Sequence, residues 1–132
     1  MVIDSSALIA LLLAGSKTPA FIEAIAAAPR RLVEAPSYLE TAIVMISRLG
    51  PEAREQLDRL LVVLRIEIVP FPQDQAALAI SAFQRYGKGT GHAAGLNFGD
   101  CFSYALAKHF GEPILFKGND FSLTDLVIAA AP

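Results

Sequence analysis

The sequence predicts an α/β fold built on a central, mostly parallel sheet of four or five strands with helices on both faces. Three observations lead there. Short β-branched runs alternate along the chain with longer segments of helical period. The length of 132 residues matches one domain with a real core. A hydrophobic content of 54% beside 18% charged residues excludes disorder and calls for helices buried on more than one face.

Taken in order, Val2-Ile3 reads as a short buried strand, and Ser6 is placed to cap a helix that runs through Leu13 and stops before Gly15. Thr18-Pro19 is an N-cap followed by proline at the first helical position, opening a helix through Ile25 that ends by Pro29. Leu32-Val33 with its neighbours makes the second strand. Pro36-Ser37 opens a third helix, with Leu39, Ala42, Ile43, Ile46 and Leu49 at helical spacing and Gly50 closing it. From Pro51 a fourth helix sets Glu52, Glu55, Asp58 and Arg59 on a polar face opposite Leu57, Leu60, Leu61 and Leu64.

Ile66-Glu67-Ile68-Val69 is the third strand, ended by Pro70, and Asp74 is placed to cap a helix reaching Tyr86. Gly87, Gly89, Gly91 and Gly95 make residues 87–96 a long flexible loop. Asn97 then caps a helix to about Phe110, and Gly111 ends it. Pro113-Ile114-Leu115-Phe116 is the fourth strand, and Leu126-Val127-Ile128 is a candidate fifth.

Eleven Lys and Arg against thirteen Asp and Glu give a net charge of -2, so no global basic signature of a nucleic-acid binder is present. A cation and a local basic patch supply such attraction in acidic enzymes. The single cysteine, Cys101, excludes an intramolecular disulfide or a Cys-rich zinc site and suits a reducing, cytoplasmic setting. The apolar residues 7–14 lack a basic leader and fall far short of the ~20 residues of a membrane span. A soluble, non-membrane protein whose N-terminus belongs to the fold is expected.

Four acids fall at structural punctuation. Asp4 ends the first strand, Glu40 lies in the first turn after the second, Asp100 in the first turn of the helix begun by Asn97, and Asp120 just after the fourth strand. In a parallel sheet these positions share the carboxyl edge, where ligands bind. Carboxylates gathered there repel one another unless hard divalent cations with oxygen ligands neutralise them. Local readings compete: Ser37-x-x-Glu40 and Asn97-x-x-Asp100 are also capping boxes, and Asp120 after Asn119 is also turn chemistry. Asp4 resists such a reading, because a carboxylate ending a buried strand needs a partner. The remaining acids, Glu34 and Asp125 among them, fit solvated faces or caps, with Asp125 the weakest exclusion.

The runs Met1-Val2-Ile3-Asp4-Ser5-Ser6-Ala7-Leu8, Leu96-Asn97-Phe98-Gly99-Asp100-Cys101-Phe102-Ser103-Tyr104-Ala105-Leu106-Ala107 and Leu115-Phe116-Lys117-Gly118-Asn119-Asp120-Phe121, with the helix start at Glu40, together resemble the PIN-domain ribonucleases. The likeness is nearest to VapC-type toxins of bacterial toxin–antitoxin pairs and spans residues 1–132. It implies a PIN-like three-layer domain and a Mg2+- or Mn2+-dependent endoribonuclease. It also implies a homodimer, or a heterotetramer or hetero-octamer with a cognate VapB-type antitoxin whose C-terminal segment enters the site. Asp4, Glu40, Asp100 and Asp120 match the family's acidic quartet, as catalytic residues and metal ligands. Ser6 matches its small hydroxyl position, holding a metal-bound water or the Asp4 carboxylate, and Asn119 is a similar supporting candidate. Cleavage of RNA leaving a 5′-phosphate and a 3′-hydroxyl is the outcome the likeness implies.

Lys117 beside the site is the first candidate for a phosphate contact, with Arg85 and Lys88 flanking the glycine-rich loop as further candidates. Cys101 reads as a buried small hydrophobe. His109 suits a helix C-terminus, and His92 either solvates or touches RNA. Residues 38–49 are nearly apolar all round, which suggests either a dimer or antitoxin surface or an enclosed core helix. The rival functions are a non-catalytic PIN-like or receiver-like binding module and a phosphatase of the haloacid dehalogenase type. A receiver lacks its acidic pair and its acceptor Asp here, and the phosphatase lacks its second Asp because Ser6 stands there.

Overall fold

The structure is a computed structural model and describes residues 1–129. Four short strands, β1 (Val2–Ile3), β2 (Leu32–Glu34), β3 (Glu67–Val69) and β4 (Ile114–Leu115), form one sheet in the order β3-β2-β1-β4. Every pairing is parallel, with Val2 opposite both Leu32 and Ile114 and Glu34 opposite Val69. The helices between them are α1 (Ser5–Leu12), α2 (Thr18–Ala27), α3 (Ala35–Leu49), α4 (Ala53–Val63), α5 (Gln73–Tyr86) and α6 (Phe98–Phe110).

Strand alternation divides the core into two layers. Ile3, Val33 and Leu115 pack with Leu8, Phe21, Ile25 and Leu57, so α1, α2 and α4 cover one face. Val2, Leu32, Val69 and Ile114 pack with Ala82, Tyr104, Leu106 and Phe121, so α5 and α6 cover the other. The α3 helix runs along the border, touching α1, α4 and α6. The three-layer α/β arrangement is therefore as expected, and its parallel strands all deliver their carboxyl ends to one edge.

Several local expectations change. Asp4, not Ser6, is the N-cap of α1 and accepts the Ser6 backbone N–H. Glu34, three residues before Ser37, stands at the N-cap of α3, so no Ser37–Glu40 capping box exists. Asp74 lies inside the first turn of α5, after Pro72. The candidate fifth strand reduces to one parallel bridge between Ile128 and Ile114.

Residues 87–96 are not a loose loop. Lys88 N–H donates to the Leu96 carbonyl and Leu96 N–H to that of Tyr86 (2.8 and 2.9 Å). Leu96 is fully buried, and the His92 ring sits edge-on against Tyr86 at 4.9 Å. A loop closed at its neck and plugged by apolar side chains is an ordered element.

Glu34 also departs from expectation. It is fully buried, and neither carboxylate oxygen has a hydrogen-bond partner among the described residues. Burial alone pushes its carboxyl up to about 8, so it is largely protonated at neutral pH. The strand it ends is buried on both faces, so its last side chain is enclosed, which composition could not reveal.

Candidate active site

Asp4 closes β1 and caps α1, and its carboxylate is almost wholly buried. Its Oδ2 accepts from Ser6 N–H at 2.9 Å and from Ser6 Oγ–H at 2.6 Å. Its Oδ1 accepts from Ser103 Oγ–H at 2.7 Å. The charge that the strand end demanded a partner for is thus held by three donors. Ser6 in turn accepts from Lys117 N–H at 3.0 Å, which ties the segment after β4 to the start of α1.

Ser103 joins the site although it is not among the candidates drawn from the sequence. It lies one turn beyond Asp100 on α6, buried, with Ser37 Oγ at 3.4 Å on its other side. The i, i+3 spacing Asp100-x-x-Ser103 was the available signal, because it puts both side chains on one helix face.

Asp100 does cap its own helix. Its Oδ2 accepts from Asn97 N–H at 2.8 Å while Asn97 Oδ1 accepts from Asp100 N–H at 2.9 Å, a complete capping box. Burial pushes the Asp100 carboxyl up to about 7. The Asn97 backbone N–H works against that rise, and the charges of Asp4, Asp120 and Glu40 add to it. Glu40 lies further along α3 and is raised by burial first and then by the charge of Asp4, with the Ser5 hydroxyl opposing. Gly99 makes room for it: a Cβ at that position would overlap the Glu40 carboxylate.

Asp100 therefore feels the charges of the other three acids at the carboxyl edge of the sheet, and Glu40 feels that of Asp4. Asp120 is the exposed member, on the segment after β4, and Asn119 beside it is also exposed. Among the described residues no three His, Cys, Asp or Glu side chains close on one point as a metal's ligands do. The chemistry of the donors nonetheless fits a hard divalent ion. They are all carboxylate oxygens, three of them (Asp4, Glu40 and Asp100) are desolvated by burial, and a counter-cation would relieve the repulsion among their charges.

The flanking residues separate. Lys117 is exposed next to Ser6. Arg85 is engaged, its guanidinium 3.6 Å from Asp125 and 4.7 Å over the Tyr86 ring. Lys88 is exposed at the neck of the closed loop. Cys101 is buried, its thiol near the Asn97 carbonyl at 3.3 Å and pushed up by burial and by the charge of Asp100. That environment makes an inert thiol, as expected.

The family model for the PIN domain matches residues 1–126. The chain belongs to the PIN-domain family. Over all of both chains it is 47% identical to a protein named Ribonuclease VapC30 from Mycobacterium tuberculosis. It is 50% identical over 126 residues to Ribonuclease VapC from Mycolicibacterium smegmatis, covering 96% of this chain and 97% of that protein. Among solved structures, this PIN domain superposes on the M. tuberculosis VapC20 toxin, described as sarcin-ricin loop cleaving, with a TM-score of 0.78. That match has 19% identity and covers 99% and 98% of the two chains. A toxin–antitoxin complex from Klebsiella pneumoniae gives a TM-score of 0.68 at 18% identity, covering 96% and 94%. At such identities the structural likeness speaks for the PIN fold.

Proposed function

We propose that this PIN domain is a Mg2+- or Mn2+-dependent endoribonuclease, the toxin of a VapBC-type toxin–antitoxin pair. The observation that carries the reading is the supply of four carboxylates by four different segments to one sheet edge, with Asp4 held by Ser6 and Ser103. Relatives at 47% and 50% identity that bear the name ribonuclease support it. A degenerate, purely binding PIN domain would have lost one of the acids, and all four are kept.

Asp4, Glu40, Asp100 and Asp120 would hold the ion. When bound, such an ion lowers the proton affinity of water and stabilises charge on phosphate oxygens. The chain's own residues do the rest. Ser6 and Ser103 fix the Asp4 carboxylate, so its orientation is set before substrate arrives. Asn97 fixes Asp100 through the capping box. Lys117, exposed beside Ser6, is available to the phosphate backbone of RNA, with Lys88 further off. Arg85 is a weaker candidate because Asp125 and Tyr86 occupy it.

A cognate antitoxin and a second copy of the chain are the partners this reading requires. Leu39, Ile43, Ile46 and Leu49 stand exposed on α3, so that helix is no enclosed core element. A groove of about 520 Å³ between α3 and α6 runs from Leu39 and Ile43 to Glu40, which suits an apolar partner segment ending near the acids. Among the described residues no helix is long and apolar enough to cross a membrane, and a cytoplasmic location accords with the RNA substrate proposed.

The test is cleavage of cellular RNA by the purified chain. Wild type should cut in Mg2+ or Mn2+ and stop with a chelator, whereas Asp4→Asn and Asp100→Asn should be folded and inactive. Wild-type rates in either variant would refute the reading.

A further inference from the structure

We propose that Asp125 is a positioning residue for Asp120: its carboxylate clamps the irregular segment that carries Asp120 to α6, the helix that carries Asp100. The proposal rests on the reading of the four acids as one site. Asp120 follows β4 in a stretch without helix or strand, and a carboxylate on an unsupported segment loses precision to conformational entropy.

Two anchors hold this one. The Phe121 ring is buried and meets Phe116 edge-on at 5.1 Å. Four residues later, Asp125 Oδ1 accepts from Tyr104 Oη–H at 2.6 Å and Oδ2 accepts from Lys108 Nζ–H at 2.8 Å, with Arg85 of α5 at 3.6 Å. Between the anchors the chain is hydrogen-bonded to itself. Ser122 N–H donates to the Asn119 carbonyl at 3.1 Å, and Thr124 N–H and Oγ1–H donate to that of Phe121 at 3.1 and 2.8 Å. Residues 119–124 are therefore tied together by their own hydrogen bonds, directly before Asp125.

The far end of the clamp is rigid. Tyr104 and Lys108 lie one and two turns along α6 from Asp100, and Tyr104 is buried with its ring 5.8 Å from Tyr86. The helix thus sets the spacing between Asp100 and the Asp120 segment. Lys108 and Arg85 alone would amount to an ordinary exposed ion pair worth little. The bond from the buried Tyr104 hydroxyl is what gives the clamp a fixed direction. Burial works against the Asp125 charge, yet the hydrogen bonds from Lys108 and Tyr104, with the charges of Lys108 and Arg85, keep its carboxyl below the usual range.

The experiment measures Mn2+ binding by electron paramagnetic resonance of free Mn2+, beside thermal unfolding and RNA cleavage as a function of Mn2+ concentration. The proteins are wild type, Asp125→Ala, Asp125→Asn, Tyr104→Phe and Asp120→Asn. Supporting residues around metal ligands typically carry ten- to hundredfold in affinity, so Asp125→Ala should bind Mn2+ about tenfold more weakly, with cleavage recovering at saturating Mn2+. Asp125→Asn, which keeps an acceptor for Tyr104, should fall between it and wild type, and Tyr104→Phe should show a related loss should Asp125→Ala fail to fold.

Wild-type Mn2+ binding in Asp125→Ala and Tyr104→Phe, with binding lost in Asp120→Asn, would overturn the clamp and leave the site reading standing. A loss that tracks unfolding and is not recovered by Mn2+ would make Asp125 merely structural and also overturn it. Unchanged binding in Asp120→Asn would remove the site reading and the clamp together.

Discussion

Replacing Gly99 by alanine should separate stability from activity in this PIN domain. Gly99 is the second residue of α6, and its φ lies outside the left-handed region, so alanine adopts the same backbone without strain. The added methyl would overlap Glu40 Oε2 and stand 3.0 Å from Glu40 Cδ and Oε1, where ordinary contact begins at 3.4 Å. The carboxylate must then retreat by roughly 1 Å, a misplacement of the size that costs about a hundredfold in rate. Because the Glu40 carboxylate is the mobile end of a flexible side chain, the helix itself is not disturbed. Alanine also restricts the unfolded chain more than glycine does, which contributes up to about 0.5–1 kcal/mol toward stability. Gly99→Ala should therefore melt at or above the wild-type temperature while kcat/KM for RNA cleavage falls about a hundredfold. Wild-type cleavage by Gly99→Ala, alongside an inactive Glu40→Gln, would show that the position of Glu40 is not set by the first turn of α6, and the reasoning would fail.

Two further outcomes follow from buried polar groups. Glu34 rises from 4.5 to about 8 on folding, so its contribution is most favourable below the unfolded value and is lost as pH climbs through the folded one. The full swing is on the order of 5 kcal/mol. Urea denaturation between pH 5 and 9 should show this decline in wild type and a shallower one in Glu34→Gln, ending near pH 7 where Asp100 completes its own titration, and parallel profiles would refute it. Ser103→Ala removes the donor to Asp4 Oδ1 and leaves a buried carboxylate oxygen unpaired, at a cost of about 1–3 kcal/mol. Chemical denaturation should show that loss together with weakened RNA cleavage, and an unchanged midpoint would contradict the assignment.

The alternation of strands and helices was readable because each strand lies in a short, mainly apolar run and each connecting helix carries its own period. The carboxyl-edge positions of Asp4 and Asp100 followed from the same reading. What failed was local: the start of α3 lies at Ala35 because Glu34 ends a strand by turning inward, and residue type gives no sign of that when the residue is charged. The loop at 87–96 departs from expectation for a related reason. Its glycines advertise freedom, whereas its order comes from Leu96 and His92 packing on Tyr86, a tertiary contact that local composition does not encode. Ser103 was missed because hydroxyls on helices are common, and its meaning appears only when β1 brings Asp4 to it.

Helix capping, open for both Glu40 and Asp100 in the sequence, is absent for the first and present for the second. Glu40 sits beyond the first turn of α3, so helix capping does not explain it. Its carboxylate lies instead against Gly99 at the start of α6, where unpaired backbone N–H groups favour negative charge. Asp100 does cap, but the box occupies Oδ2 with Asn97 N–H, and a carboxylate has roughly four acceptor sites. One interaction therefore orients the group without exhausting it. Capping then works for the site: it fixes the rotamer of Asp100 from its own helix, as Ser6 and Ser103 fix Asp4. On the proposed metal-ion reading, a carboxylate pinned in this way would meet an incoming cation with little left to order, which is where a site built from mutually repelling charges most needs help.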